Sequence, residues 1–295
     1  MNNHIKGAIL AFIGAVMFAG KAVIIKWIYM HYDGMSALPL LALRMIFSLP
    51  FYLVVLLYSS TGISYQLSKN DYYYIIGLGI IGYYLASYFD FKGLEYISAT
   101  LERLILFIYP TLVVLLSALF LRKKITSIQV VAILITYVGI GITFIPELDL
   151  DHQNNVIAGS IFIFLSALTY AIYLIGSGEL VRKIGSQRMT SLVLIVSCIT
   201  VLIHYYVADG RTLLGFDMIV YVLCLIMAIF CTVIPTFMVA EGIKLIGAGN
   251  AAIISTVGPL ATIIMATQIL GETFNLWHAA GTILILTGVF WVSKK

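Results

Sequence analysis

Apolar stretches of about 20 residues, rich in Leu, Ile, Val and Ala, recur along the whole chain, each long enough to cross a hydrocarbon core as a helix. That recurrence restricts the fold more than any motif does. Of the 295 residues, 62% are hydrophobic and 10% charged, with a mean hydropathy of +1.06. A water-soluble domain needs a charged shell that this composition cannot supply. The chain therefore reads as an all-α polytopic membrane protein. No segment between spans is long enough for an appended soluble domain. The basic start Met1–Lys6 precedes an apolar run from Gly7 to Ile28 that is too long for a signal-peptide core. That run also contains Lys21 and lacks a small-residue cleavage site, so it is expected to be the first helix. Cys198, Cys224 and Cys231 lie in apolar stretches without a CxxC pair or nearby histidine ligands, as small core- or lipid-facing residues do. Neither a metal nor a cofactor is expected, and the net charge of +4 reflects basic loops rather than a nucleic-acid partner.

Ten spans are expected, near 7–28, 37–58, 72–91, 96–120, 127–145, 156–178, 190–208, 218–240, 247–270 and 275–293, with turns such as Tyr32-Asp33-Gly34, Ser60-Thr61-Gly62 and Gly185-Ser186 between them. An even number puts both termini on one side. With the termini inside, the inner segments carry Lys6, Lys69, Arg122, Lys123, Lys124, Arg182, Lys183, Arg188, Lys244, Lys294 and Lys295. The outer ones carry Lys26, Lys92 and Arg211, and Glu147, Asp149 and Asp151 share one outer loop. The positive-inside rule then makes both termini cytoplasmic, in a bacterial inner membrane.

The chain also resembles itself. Residues 93–139 lie on 242–288 at a constant offset of 149, with Gly93 on Gly242, Ile97 on Ile246, Ala99 on Ala248, Pro110 on Pro259 and Gly139 on Gly288. The first spans of the halves match at an offset of 152, with Ala15 on Ala167, Phe18 on Tyr170 and Ala19 on Ala171. Five spans per half is an odd number, so the second half would cross the membrane the opposite way. The expected architecture is two inverted five-helix repeats, residues 1–149 and 150–295, as secondary transporters use for alternating access.

Two segments carry a family resemblance. One is Gly93-Leu94-Glu95-Tyr96-Ile97-Ser98-Ala99-Thr100 running into Ile108-Tyr109-Pro110. The other is Gly242-Ile243-Lys244-Leu245-Ile246-Gly247-Ala248-Gly249 running into Val257-Gly258-Pro259, then Gly271-Glu272-Thr273. They resemble the paired repeats of the drug/metabolite transporter superfamily, in its ten-helix EamA-type branch. The glycine-glutamate pair of that family stands at Gly271-Glu272, whereas Arg122-Lys123 occupies the matching place in the first half. The resemblance implies a central cavity lined by helices one to four and six to nine, with helices five and ten peripheral. It also implies a substrate among amino acids and other small metabolites, nucleotide sugars or sugar phosphates.

Intramembrane ionisable residues are costly and are functional candidates by default. Here they are Lys21, Arg44, Asp90, Glu102 and Arg103, all in the outer part of the first half. Gly14, Phe18 and Lys21 share a face of helix one, answered by Ser166, Tyr170 and Tyr173 on helix six. Tyr83, Ser87 and Asp90 form a stripe on helix three, answered by Thr232, Pro235 and Thr236 on helix eight. Such stripes should face protein or water, and together they would line one cavity, charged on one side and hydroxyl-bearing on the other. That asymmetry suits a substrate with a charged end and a neutral polar or aromatic end. Arg44 reads either as a cavity residue or as a partner of Asp90 or Glu102. Glu102 and Arg103 point about 100° apart, so one can line the cavity while the other joins helices. Pro110 and Pro259 leave mid-helix carbonyls unpaired and are expected hinges. Lys26 is expected to snorkel to the headgroups, Tyr72, Tyr73 and Tyr74 to sit in the interfacial belt, Asn250 to join helices, and His204 and His278 to be surface residues.

The expected function is that of a secondary transporter for a small organic metabolite, an amino acid or similar and in the export direction, working as a monomer or homodimer. Proton coupling through Asp90 or Glu102 is one alternative. Facilitated flux is the other, should Arg44 or Arg103 hold those carboxylates ionised. A flippase for a lipid-linked substrate is the second function considered. A membrane enzyme finds no support in HExxH, GxxxxGK[ST] or GxSxG, and a channel fits the internal symmetry least.

Overall fold

Lipid leaves a backbone no external hydrogen-bond partner, so each crossing segment must satisfy its own peptides as a helix or in a closed barrel. The computed structural model describes residues 3–60, 66–122, 124–148, 156–210, 213–247, 251 and 254–293, and among them every regular element is helical. In chain order these are α1 (Asn3–His31), α2 (Ala37–Ser60), α3 (Lys69–Leu94), α4 (Ala99–Leu121), α5 (Ser127–Leu148), α6 (Val156–Ile184), α7 (Ser186–Ala208), α8 (Met218–Ile246), α9 (Val257–Leu270) and α10 (Leu276–Ser293). Elements α1 to α8 are each long and apolar enough to cross a membrane, whereas α9 and α10 are shorter apolar helices. Gly34 and Gly185 supply the positive φ of two turns, at +83° and +81°. Thr61-Gly62, Lys123, Asp149, Asp151, Arg211, Asn250, Lys294 and Lys295 lie outside the described residues, as does the side chain of Glu147.

The helices are not uniform, and two of their irregularities sit where the halves match, whereas the π-helical segment Ala266–Leu270 of α9 has no counterpart in α4. In α3 the turns widen to π-helix over Gly79–Leu85, and in α8 over Ile229–Val233. Each such turn takes in extra residues and rotates the side chains beyond it. The proline helices also depart from the expectation of a mid-helix kink. Helix α4 is interrupted at Phe107 and Ile108, and Pro110 stands in the first turn of the segment Tyr109–Leu121. Pro110 has no N–H to give the Leu106 carbonyl, and the chain passes the gap by a tight turn in which Ile108 N donates to Ile105 O at 3.1 Å. In the second half helix α9 likewise starts at Val257, two residues before Pro259. Residues 251, 254 and 255 are helical too, so the span expected over 247–270 is interrupted at Thr256, just before Val257.

Packing pairs α1 with α8 and α9, α6 with α3 and α4, α2 with α7, and α5 with α10. The α5–α10 pair packs mainly on itself, away from the rest. Several crossings are close enough to need glycine, and two of them match across the halves. Gly159 of α6 lies against α3 and the turn after it, where an added Cβ would come within 2.7 Å of Ile97 and 2.8 Å of Tyr96. Gly7 of α1 meets α8 in the same manner, 2.6 Å from Ile246 and 2.8 Å from Leu245. Without a hydrophobic drive between helices in lipid, such close backbone approach is a main source of association.

The chain leaves each proline helix through a left-handed residue, Arg122 (φ 53°) after α4 and Gly271 (φ 69°) after α9. The side chain of Glu272 then turns to the other half. Its Oε1 accepts from the N–H of Ala99 at 2.7 Å and its Oε2 from the N–H of Thr100 at 3.0 Å. A carboxylate at a helix start satisfies two orphan donors and meets the positive end of the helix dipole. Ser98 caps the same helix from its own chain through Leu101 N.

Two outcomes follow for the purified protein in detergent. Gly159→Leu should lower stability by about 1–3 kcal/mol through overpacking. Gly141→Leu, where an added Cβ meets nothing within 4 Å, should leave thermal melting near wild type. Equal melting of the two variants would contradict the crossing. Arg122→Gly should raise stability by about 1 kcal/mol, since a non-glycine residue bears a steric cost in the left-handed region. An unchanged or lower melting temperature would count against that strain.

Candidate functional site

Between the halves lies a cavity of about 240 Å³, near the lower end of roughly 300–1,000 Å³ typical of small-molecule sites. Of the residues singled out in the sequence, Phe18 and Lys21 (α1), Arg44 (α2), Tyr83, Ser87 and Asp90 (α3), Arg103 (α4), Tyr170 (α6), Thr232 and Thr236 (α8), and Pro259 (α9) all line it. Helix one also contributes Ala15, and helix six Ser166. Two candidates stand behind the wall instead. Tyr173 is buried against Gly82 and edge-on to Tyr83 at 4.8 Å. Glu102 is fully buried among helices, while its neighbour Arg103 takes the cavity side. Pro110 is also off the wall, which at that level is made by Leu106, Phe107 and Tyr109.

The ion pairs differ from those expected. Asp90 is held by Lys21, not by Arg44: Lys21 Nζ lies 2.5 Å from Asp90 Oδ2, with side-chain exposures of 15% and 3%. Lys21 enters from α1, and its long unbranched stem lets the ammonium reach a carboxylate on α3. Arg44 instead donates from Nη2 to Ser87 Oγ at 2.9 Å and sits over the Phe91 ring, 4.7 Å from its centroid, as a planar guanidinium does on an aromatic face. Arg103 donates to the carbonyl of Phe18 at 3.2 Å, and its Nε is 3.7 Å from Glu102 Oε2. Lys21, Asp90, Glu102 and Arg103 thus form one buried charged cluster joining α1, α3 and α4.

Around that cluster one end of the helices is tied by further hydrogen bonds. Lys26 Nζ donates to Leu94 O at 3.1 Å, Tyr29 OH donates to Phe91 O at 3.1 Å, and Ala37 N donates to Glu95 Oε1 at 2.6 Å. Lys26 therefore binds a helix end as well as lying near the boundary. The rest of the cavity wall is aromatic and hydroxylic. Tyr83 meets Tyr170 at 6.1 Å, and Tyr109 meets Tyr170 at 5.3 Å, both edge-to-face. Tyr52, Met45, Leu194 and Cys231 complete it. Tyr52 could have been found, because it lies two turns from Arg44 on one face of α2. Tyr109 is signalled by no spacing, since the break before Pro110 resets the helix phase. His278, expected at the surface, is 4% exposed and stacks on Phe274. Tyr72, Tyr73 and Tyr74 are exposed as a belt would have them.

The profile of the EamA-like transporter family matches residues 5–145 and again residues 157–294. The chain belongs to the EamA-like transporter family. It is 31% identical over 290 residues to the uncharacterized transporter YcbK of Bacillus subtilis, covering 96% of this chain and 92% of that protein. It is 24% identical to the uncharacterized inner membrane transporter YicL of Salmonella typhimurium, covering 99% and 97%. A solved crystal structure of 14% identity has the same overall fold, with a TM-score of 0.64 over 97% of this chain and 95% of its own. Family and apolar helices together make this EamA-family chain a multi-pass membrane protein with a transporter role.

The buried pair gives a direct test. Lys21→Met leaves Asp90 uncompensated and should cost about 3–5 kcal/mol, whereas Lys21→Met with Asp90→Asn should recover most of that loss. Thermal melting of the variants in detergent measures both. A double variant no better than the single one would contradict the pairing.

Proposed function

We propose that this chain is a carrier that moves a small organic metabolite by alternating access through the central cavity, not a membrane enzyme. The observation that carries the reading is the match between its two walls. Gly82, Tyr83, Ser87, Asp90, Leu106 and Tyr109 line the cavity, and so do Cys231, Thr232, Thr236, Val239, Ser255 and Gly258, each 149 residues further on. The offset read from residues 93–139 extends to Gly82, Tyr83, Ser87 and Asp90 outside that stretch, and so relates residues across a single binding space.

The same exchange of halves takes α1–α8 packing into α6–α3 and α1–α9 into α6–α4, and returns α2–α7 and α5–α10 to themselves. It also takes one π-helical segment close to the other, and left-handed Arg122 onto Gly271. This regularity supports ten spans in two inverted repeats, residues 1–149 and 150–295, with both termini cytoplasmic by the distribution of basic residues. In such an arrangement the two halves can trade conformations, so the cavity opens to one side and then the other. The tied end at Lys26, Tyr29, Glu95 and Glu272 would be the closed side of the present state, and by the same topology the outer one. Lys21, Arg44, Asp90 and Arg103 would contact the substrate's charged end, and Phe18, Tyr83, Tyr170, Thr232 and Thr236 the rest.

Metabolite profiling of cells and medium tests this. Bacteria expressing wild type should shift one class of small molecule across the membrane relative to empty vector, and Lys21→Ala at matched membrane levels should reduce the shift tenfold or more. Profiles of wild type identical to the empty-vector control would sink the metabolite reading and favour labelled lipid carriers as the next substrates to try.

A further inference from the structure

Helix α2 carries Arg44, Ser48 and Tyr52 at successive steps of four, so the three side chains stand above one another on one face. All are buried: Arg44 is 4% exposed, and Ser48 and Tyr52 are 0% exposed. Each holds a polar atom with no hydrogen-bond partner, namely Arg44 Nε, Ser48 Oγ and Tyr52 Oη. The Ser48 and Tyr52 hydroxyls are neighbours, and one can donate to the other, which leaves one hydroxyl donor beside Arg44 Nε unspent. Arg44 and Tyr52 reach the cavity wall. A buried donor left unpaired is expensive, and a guanidinium N–H beside a spare hydroxyl donor calls for a common acceptor.

Charge narrows the choice. Lys21 and Asp90 compensate one another at 2.5 Å, and Arg103 stands 3.7 Å from Glu102. Among the described residues no carboxylate comes within 4.0 Å of Arg44. With Arg44 counted, three cations stand against two carboxylates, and of the two guanidiniums on the cavity wall Arg44 is the one with no carboxylate within reach. Ser87 and the Phe91 ring hold it in place but bring no negative charge.

We propose that the missing counter-ion is the substrate, a small organic anion whose carboxylate meets Arg44. A further acceptor on the same molecule would lie towards Ser48 and Tyr52. Asp90 Oδ1 on the same wall also lacks a hydrogen-bond partner, but Lys21 already offsets its charge, so the balance of charge favours an anion over an ammonium. This rests on the carrier reading and narrows it from metabolites in general to organic acids. A planar guanidinium binding a carboxylate through two parallel hydrogen bonds suits the task better than an ammonium would.

The test uses related compounds with or without a carboxylate and with or without an ammonium: 4-hydroxyphenylacetate, 4-hydroxyphenylacetamide, tyramine and tyrosine, with lactate, lactamide and alanine as an aliphatic set. Binding is read by thermal shift on the purified full chain, and transport by uptake into vesicles containing it. The carboxylate of at least one set should bind wild type at least tenfold tighter than its amide, amine or amino-acid counterpart. Arg44→Gln should reduce that affinity about ten- to a hundredfold, and Arg44→Lys should restore part of it. Should Arg44→Gln fail to fold, the wild-type comparison needs no variant, and Tyr52→Phe, which removes the hydroxyl towards the further acceptor, should weaken binding of the carboxylate compound severalfold. Equal binding of amides, amines or amino acids, or full carboxylate binding by folded Arg44→Gln, would overturn the proposal while leaving a carrier in place. Binding and uptake of none of the compounds would overturn it together with the carrier reading for small metabolites.

Discussion

Hydrocarbon offers a peptide group or a charge nothing to bind, and the organisation of this chain follows from that deficit. The backbone answers it with helices, and the close crossings at Gly7 and Gly159 bring those helices near enough for dispersion to hold them. The charges answer it with one another. Lys21, Asp90, Glu102 and Arg103 come from three helices and would each be prohibitive alone in lipid. Collected in one place, they tie α1, α3 and α4 together and leave the opposite wall to tyrosines and hydroxyls.

The two halves share a frame but divide the work. Matching positions line one cavity, yet the ionisable side chains are all on the first half, with Tyr173, Tyr170 and Val239 at the places that answer Lys21, Phe18 and Asp90. The Gly-Glu pair is divided similarly. Gly271 makes the turn and Glu272 crosses to cap α4, whereas Arg122 keeps only the left-handed backbone. A backbone conformation survives a change of side chain more readily than a hydrogen bond does, so the shape of the motif persists in the first half after its chemistry has gone.

Much of the site was legible from spacing. Phe18 and Lys21, then Tyr83, Ser87 and Asp90, follow helical periodicity, and polar stripes in apolar helices must turn away from lipid. The misreadings cluster where periodicity breaks down. The break at Phe107 and Ile108 shifts the helix phase beyond it, so no spacing points to Tyr109. Ser48 and Tyr52 share a helix face with Arg44, but only the tertiary structure shows that their hydroxyls are buried beside its guanidinium.

The amino-acid sequence by itself determined the membrane class, the helical spans and the offset between halves, because hydropathy, length and periodicity are local properties that each segment carries wherever it packs. Only the tertiary structure decided which charge meets which. The partnership of Lys21 with Asp90, the burial of Glu102 beside Arg103, and Arg44 left facing the cavity without a carboxylate depend on the depth and rotation of separate helices. An ion pair is set by a few ångströms between side chains far apart in sequence, and no spacing along one helix encodes that distance.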